Sequence, residues 1–411
     1  MPMSFPAILL VAASLHAPPG TDSARTPAPG DVAARSASHA LTPASDVGMS
    51  ATALIHAEEE VWNDMQRGAF PGAALAIGRG SKVVLEEGFG RLGRDGVLGD
   101  EVDPDRSVYD LASLTKVVGT TTAVMLLVED GKMRLDEPVS AYLPDFSGGG
   151  RERVTIRHLL THTSGLPDGI DVPNGMTPEQ ALRYVLGTPL RSNPGMRVDY
   201  SDLGFVILYA AAERAAGEPL YHFLDRRVFG PLRMRSTTYW PGEGCTRCAP
   251  TSRDMGDAFR GHVHDPIARR LGGIAGNAGL FSTAHDLARF AAMLANGGEL
   301  DGVRVLQRGT IRMFTQRQPG TGTRALGWDT PGRPGTNMFG NRASDRSFGH
   351  TGYTGPSIWI DPDLGTWVVL LANRTYDTEG NNRMQTLRRA VADHVVAAAQ
   401  YGRALASGGG N

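Results

Sequence analysis

Apolar and polar positions alternate with two different periods along this chain, and the periods are segregated. Residues 51–66 carry one apolar stripe at helical spacing and predict a helix. Two short runs follow, 72–78 and 82–88, bounded by glycine and joined by Arg79-Gly80-Ser81; they predict two strands and a turn. The stretch 117–128 is apolar on nearly every side, which marks a buried helix. Helical runs then recur at 156–160, 178–186, 203–216, 221–229 and 284–295, several bounded by Gly or Pro. Strand patterns return only late, at 347–353, 356–360 and 366–372, with Asp361-Pro-Asp-Leu-Gly365 as the turn between the last two. A final helix is expected over 383–399. Strands at both ends and helices between them predict an α+β fold: one antiparallel sheet built from both chain ends, flanked by helices, with a helical lobe inserted.

The ends read differently. Residues 1–17 hold an apolar run too short to span a bilayer, with no Lys or Arg before it; it suits a signal peptide, the alternative being a disordered apolar tail. Residues 18–48 are rich in Pro, Ala, Ser, Thr and Gly and are expected to be a disordered linker. A folded domain over 49–400 and a flexible tail over 401–411 complete the expected organisation. At 411 residues and a net charge of −2, without a basic block, the chain can bury a large core and does not look like a nucleic-acid binder. No stable membrane span is expected.

Lysine is scarce: Lys82, Lys116 and Lys132 are the only three among 41 basic residues. Lys116 stands three residues after Ser113 at the mouth of the buried helix. Ser-x-x-Lys puts both side chains on one helix face, where an amine can act on a hydroxyl. Two further segments carry suitable groups: Asp199-Tyr200-Ser201-Asp202, opening an apolar helix, and His350-Thr351-Gly352-Tyr353 on a late strand. Read singly, each has an ordinary explanation: Lys116 at the surface with Ser113 as a cap, Tyr200 packing on the core, Asp202 favoured by a helix dipole, His350 at a strand edge.

Other candidates are weaker. His262-Val-His264-Asp265 lacks the spacer and the following histidine of an H-x-H-x-D-H metal motif and reads as a structural loop; no metal or other cofactor is expected. His158 and His162 are spaced for one helix face, but His162 is expected to cap that helix. Gly78-Arg-Gly80 lacks the rest of a dinucleotide fingerprint. Cys245 and Cys248 are open between a short-loop disulfide and two free thiols.

Taken together, Ser113-x-x-Lys116, Tyr200-x-Asp202 and His350-Thr351-Gly352 resemble the three motifs of the serine β-lactamase and penicillin-binding protein superfamily. The branch most resembled is class C-like. The stretches 154–166, 276–288 and 349–362 resemble it too, so the similarity spans roughly residues 50–400. The resemblance implies a β-lactamase/DD-peptidase-like fold and no cofactor. It implies Ser113 as nucleophile, Lys116 assisting its deprotonation, and Tyr200 shuttling the proton. Ser113 and Tyr353 would lend N–H groups to an oxyanion hole. His350, Thr351 and Gly352 would line the strand edge where an extended substrate adds. Two positions depart from the common pattern. Asp202 replaces the usual asparagine, and a carboxylate there is expected to hold Lys116 protonated. His350 replaces the usual lysine; it can donate a hydrogen bond but holds an anion less firmly. The expected function is an exported serine hydrolase that forms an acyl-enzyme at Ser113. Its substrates would be D-amino-acid peptides from the cell wall or β-lactam-like amides. An esterase of the same fold and a non-turnover penicillin-binding sensor are the alternatives.

Overall fold

The computed structural model describes residues 41–93, 100–242, 244–252, 259–333, 338–376 and 383–408. The expected signal peptide (1–17) and most of the expected linker lie outside them. Helix α1 (Ala51–Gln66) starts at Ser50, whose side chain caps Ala53 N–H. Strands β1 (Gly72–Arg79) and β2 (Lys82–Gly90) form the first hairpin. Two-residue β3 (Tyr109–Asp110) leads into the buried helix region, which ends in α2 (Thr122–Glu129). The inserted lobe holds α3 (Ile156–Leu160), α4 (Pro178–Leu186), α5 (Asp202–Ala216), α6 (Leu220–Leu224) and α7 (Pro266–Arg270). Short β4 (Phe281–Ser282) pairs with β3 and precedes α8 (Ala284–Ala295). The small hairpin β5 (Glu299–Leu300) and β6 (Val303–Arg304) precedes α9 (Arg308–Thr315). Strands β7 (Phe348–Thr351), β8 (Ser357–Asp361) and β9 (Thr366–Ala372) come last, before α10 (Arg383–Gly408).

The main sheet is antiparallel in the order β2-β1-β9-β8-β7, so the N- and C-terminal halves meet at the β1–β9 seam, where Ala73 faces Ala372. Strands β8 and β9 are buried along their whole length because both sheet faces are covered. Residues of α1 and α10 share one apolar cluster with β1, β8 and β9; α8 and the inserted lobe share a second cluster on the other face. Within the lobe-side cluster Ala112–Glu129 is apolar and long enough to cross a membrane, but 83% of it is buried in the core.

Three expectations change. Leu41–Gly48, assigned above to the linker, pack on the domain: Thr42 N–H donates to Val83 O, and Arg79 donates to the carbonyls of Val47 and Gly48. The last helix continues through Gly408 instead of giving way to a tail at 401. The Ser113 segment is not one α-helix. It runs as a 3-10 turn (Ala112–Leu114), a π-helical stretch (Lys116–Thr121) and then α2. A π-helical turn of this kind is common beside functional groups.

Candidate active site

Ser113 is presented by a strained turn. Ala112 adopts φ +44°, a conformation unfavourable for an L-residue with a Cβ. The Asp110 carboxylate offsets the strain by accepting Ala112 N–H (2.8 Å) and, from across the site, His264 N–H (2.7 Å). Burial raises the Asp110 carboxyl to about 6, against the opposing pull of those two backbone bonds. The Asp110 carbonyl accepts the Thr354 hydroxyl (2.8 Å), which ties the Ser113 turn to the β7–β8 connection.

Lys116 is fully buried. Its Nζ donates to Ser113 Oγ (2.9 Å), Asp202 Oδ1 (2.5 Å) and Asn277 O (3.0 Å). Three acceptors match the three protons of an ammonium. Burial alone would lower Lys116, but the Asp202 carboxylate, with Tyr200 adding to it, outweighs that and holds the amine above the ordinary lysine range. The ammonium charge expected from Asp202 therefore has a geometric basis. With Nζ donating to Oγ, the Lys116 amine sits directly beside the Ser113 hydroxyl.

Tyr200 sits above this group, its ring centroid 5.0 Å from Lys116 Nζ. His162 holds it there: the rings stack at 4.4 Å, and His162 Nδ1 accepts Ser201 N–H (3.0 Å). His162 thus does not cap α3 with its ring, as the sequence suggested; at φ +57° it turns away to the start of α5. Burial, then Arg324 and Lys116, push its ring well below the usual histidine range, so it is neutral. His158, by contrast, completes a capping box with Thr155.

His350 differs most from expectation. It is buried, not at an exposed edge. Burial, followed by the charges of Arg324 and Lys116, drops it to about 3. Its Nδ1 donates to Thr351 O (2.8 Å), so Nε2 carries a lone pair and is an acceptor, buried and without a partner among the described residues. The edge of β7 is partly closed as well. Gly349 exchanges both backbone hydrogen bonds with Asp329 (2.9 and 3.0 Å), and on Thr351, the next residue facing outward, the carbonyl already accepts His350 Nδ1, which leaves its N–H as the open group. Gly352 N–H is spent on Pro356 O (2.8 Å). Among the described residues the N–H groups of Ser113 and Tyr353 have no acceptor. Arg388, from α10, fixes the turn that carries Tyr353 by donating to the carbonyls of Gly352, Gly355 and Pro356.

These groups line a cleft of about 480 Å³ that includes Ser113, Tyr200, Arg324, His350 and Tyr353. His264-Asp265 acts as a structural loop: Asp265 caps α7 and accepts Asn277 Nδ2 (3.0 Å). Among the described residues no acid, histidine and cysteine cluster suits a metal. Cys245 and Cys248 form a disulfide. Sequence reasoning missed Asp110, Asn277, Arg324 and Arg388. Asn277 and His162 lie inside stretches that carried the family resemblance, whereas nothing in the sequence marks Arg324 or Arg388.

Residues 57–393 match the Beta-lactamase family. An N-acetylmuramyl-L-alanine amidase of Bacillus subtilis (strain 168) is 30% identical over 393 residues, covering 85% of this chain and 88% of that protein. A protein named "Putative D-alanyl-D-alanine carboxypeptidase" from Salmonella agona (strain SL483) is 30% identical over 382 residues, covering 84% and 88%. The solved β-lactamase/D-alanine carboxypeptidase of Pseudomonas syringae shares the fold, with a TM-score of 0.66 at 21% identity, covering 84% of this chain and 99% of that one. The chain belongs to the beta-lactamase family and is a serine hydrolase of the β-lactamase/penicillin-binding fold.

Proposed function

We propose that Ser113 forms an acyl-enzyme and that the bond cleaved is an amide in D-amino-acid peptides of the cell wall. The observation that carries this reading is the Lys116 ammonium bonded to both Ser113 Oγ and Asp202. In the sequence of steps, Tyr200, reacting as a phenolate beside the Lys116 ammonium, takes the Ser113 proton and becomes the neutral phenol while Oγ attacks the carbonyl carbon. The oxyanion rests on the free N–H groups of Ser113 and Tyr353. Tyr200 returns the proton to the leaving amine as the C–N bond breaks, and water then cleaves the ester. The amidase and carboxypeptidase names of the two relatives agree with such a substrate. We also infer export, which the disulfide and the apolar start of the chain support.

Esterase activity is the second reading. It is favoured by the neutral His350, which supplies no charge for an anion on β7. Intact mass of the protein mixed with a penicillin, with Ser113→Ala beside it, tests the nucleophile. An adduct that only the wild type carries, or penicillin loss that only the wild type causes, supports it. The same adduct or the same penicillin loss in Ser113→Ala refutes it, and inertness of both proteins towards penicillin favours the esterase reading.

A further inference from the structure

A second cavity, of about 300 Å³, lies beside the catalytic cleft and is large enough for a small ligand. The two share a wall. Val263 lines the cavity, and the next residue, His264, rests its N–H on Asp110 and its ring 5.6 Å from Tyr353 of the cleft. Phe281 lines the cavity too and pairs with Asp110 across β3 and β4. Four of the ten lining residues are glycines, and a Cβ on Gly242 or Gly273 would meet no atom within 4 Å, so space is left over both. Trp240 lines the cavity while 66% exposed, its backbone N–H fixed on the Thr238 hydroxyl (3.0 Å). Polar groups here are unspent. Among the described residues neither the exposed His262 ring nor the Trp240 indole N–H has a hydrogen-bond partner. Arg269 gives Nη1 to the carbonyls of Val263 and His264 and leaves Nη2 and Nε without an acceptor among those residues.

We infer that this cavity binds a pyranose ring carried by the same substrate that Ser113 attacks. A pyranose has apolar faces and a rim of hydroxyls. The faces suit the Trp240 indole, a flat apolar body with one polar N–H. The rim suits the unspent groups of His262 and Arg269. A wholly apolar ring would cover those groups without pairing them, and a phosphate would meet a single cation already shared with two carbonyls. The inference rests on the acyl-enzyme reading above and adds a sugar to its substrate class.

The first test uses the sugar alone. Methyl N-acetyl-β-D-glucosaminide is titrated into isotope-labelled protein, which has five tryptophans, and the indole N–H signals are followed by NMR. The signal missing from Trp240→Ala should shift and saturate, and His262→Ala should weaken the binding by about 3- to 10-fold, the range of one neutral hydrogen bond. No shift, or an equal shift with benzyl alcohol, overturns the proposal. The second test compares one D-alanyl-D-alanine peptide whose amino end carries either an acetyl or an N-acetylmuramoyl group. In the wild type kcat/KM should be roughly tenfold higher for the sugar-bearing peptide, and Trp240→Ala should bring the ratio near one. A wild-type ratio near one, or a ratio that survives Trp240→Ala, overturns the proposal. If the wild type turns over neither peptide, or Ser113→Ala turns over both, the acyl-enzyme reading fails instead. Calorimetric binding of both peptides to Ser113→Ala then decides on the cavity. Roughly tenfold tighter binding of the sugar-bearing peptide, lost in Ser113→Ala/Trp240→Ala, upholds the proposal, and equal binding overturns it.

Discussion

Replacing Asp202 by asparagine isolates the charge that sets Lys116. The wild-type carboxylate lies 2.5 Å from Nζ. With the charges taken about 4 Å apart in an effective dielectric near 20, their attraction is about 4 kcal/mol, or about three pH units of proton affinity. Lys116 is held above its ordinary value, so this stabilisation is complete below the usual lysine range near 10.4. It is lost only as pH rises through the raised value. In Asp202→Asn burial dominates, and the amine releases its proton below the usual lysine range. Because the mechanism needs the ammonium, the alkaline limb of kcat/KM should move down by about two pH units or more, and stability should fall by up to about 3–5 kcal/mol. The scarcity of lysine makes a direct assay practical. Side-chain NMR on lysine-labelled protein has three signals to follow, and Lys82 and Lys132 are exposed references. In the wild type the Lys116 signal should stay unchanged through the usual lysine range, and in Asp202→Asn it should shift below that range. An unchanged pH profile together with an unshifted Lys116 signal would refute the reasoning.

Two further outcomes follow from the same geometry. Neutral His350, with Arg324, Lys116 and Arg388 around it, contributes stability that is present above about 6.5 and lost as pH falls toward its folded value of about 3. His350→Gln should therefore flatten the acid decline by about 1.4 kcal/mol per pH unit, read by urea unfolding between about pH 6 and 4.5; parallel declines would contradict this. Arg388→Met releases the turn carrying Tyr353, and kcat should drop by about 10- to 100-fold while KM changes less. A variant that loses stability but keeps kcat would show that the clamp does not reach the chemistry.

The sequence located elements whose signal is local. Helices α1, α3, α4 and α8 and strand β9 match their expected bounds, because each has a clear apolar period and a cap or turn at its ends. Long-range effects were not legible. The two-residue strands β3 and β4 exist only because Tyr109 and Phe281 are brought together. Leu41–Gly48 have a linker's composition, yet Val83 and Arg79 hold them through backbone atoms, which composition does not reveal. At the site, Ser113, Lys116, Tyr200 and Asp202 were readable as motif residues, and the structure brings them within contact of one another. The state of His350 was not readable, because it depends on burial and on Arg324, 26 positions earlier in the chain.

Both outer strands of the main sheet carry stray backbone partners: Asp329 on Gly349 of β7, Thr42 on Val83 and Val102 on Gly90 of β2. Each such partner occupies a rung that another molecule's strand would otherwise use, and none of them continues as a long strand of its own. The sheet edges are thereby blunted against edge-to-edge pairing, and Thr42, through its bond to Val83 O, is one of the guards on the β2 side.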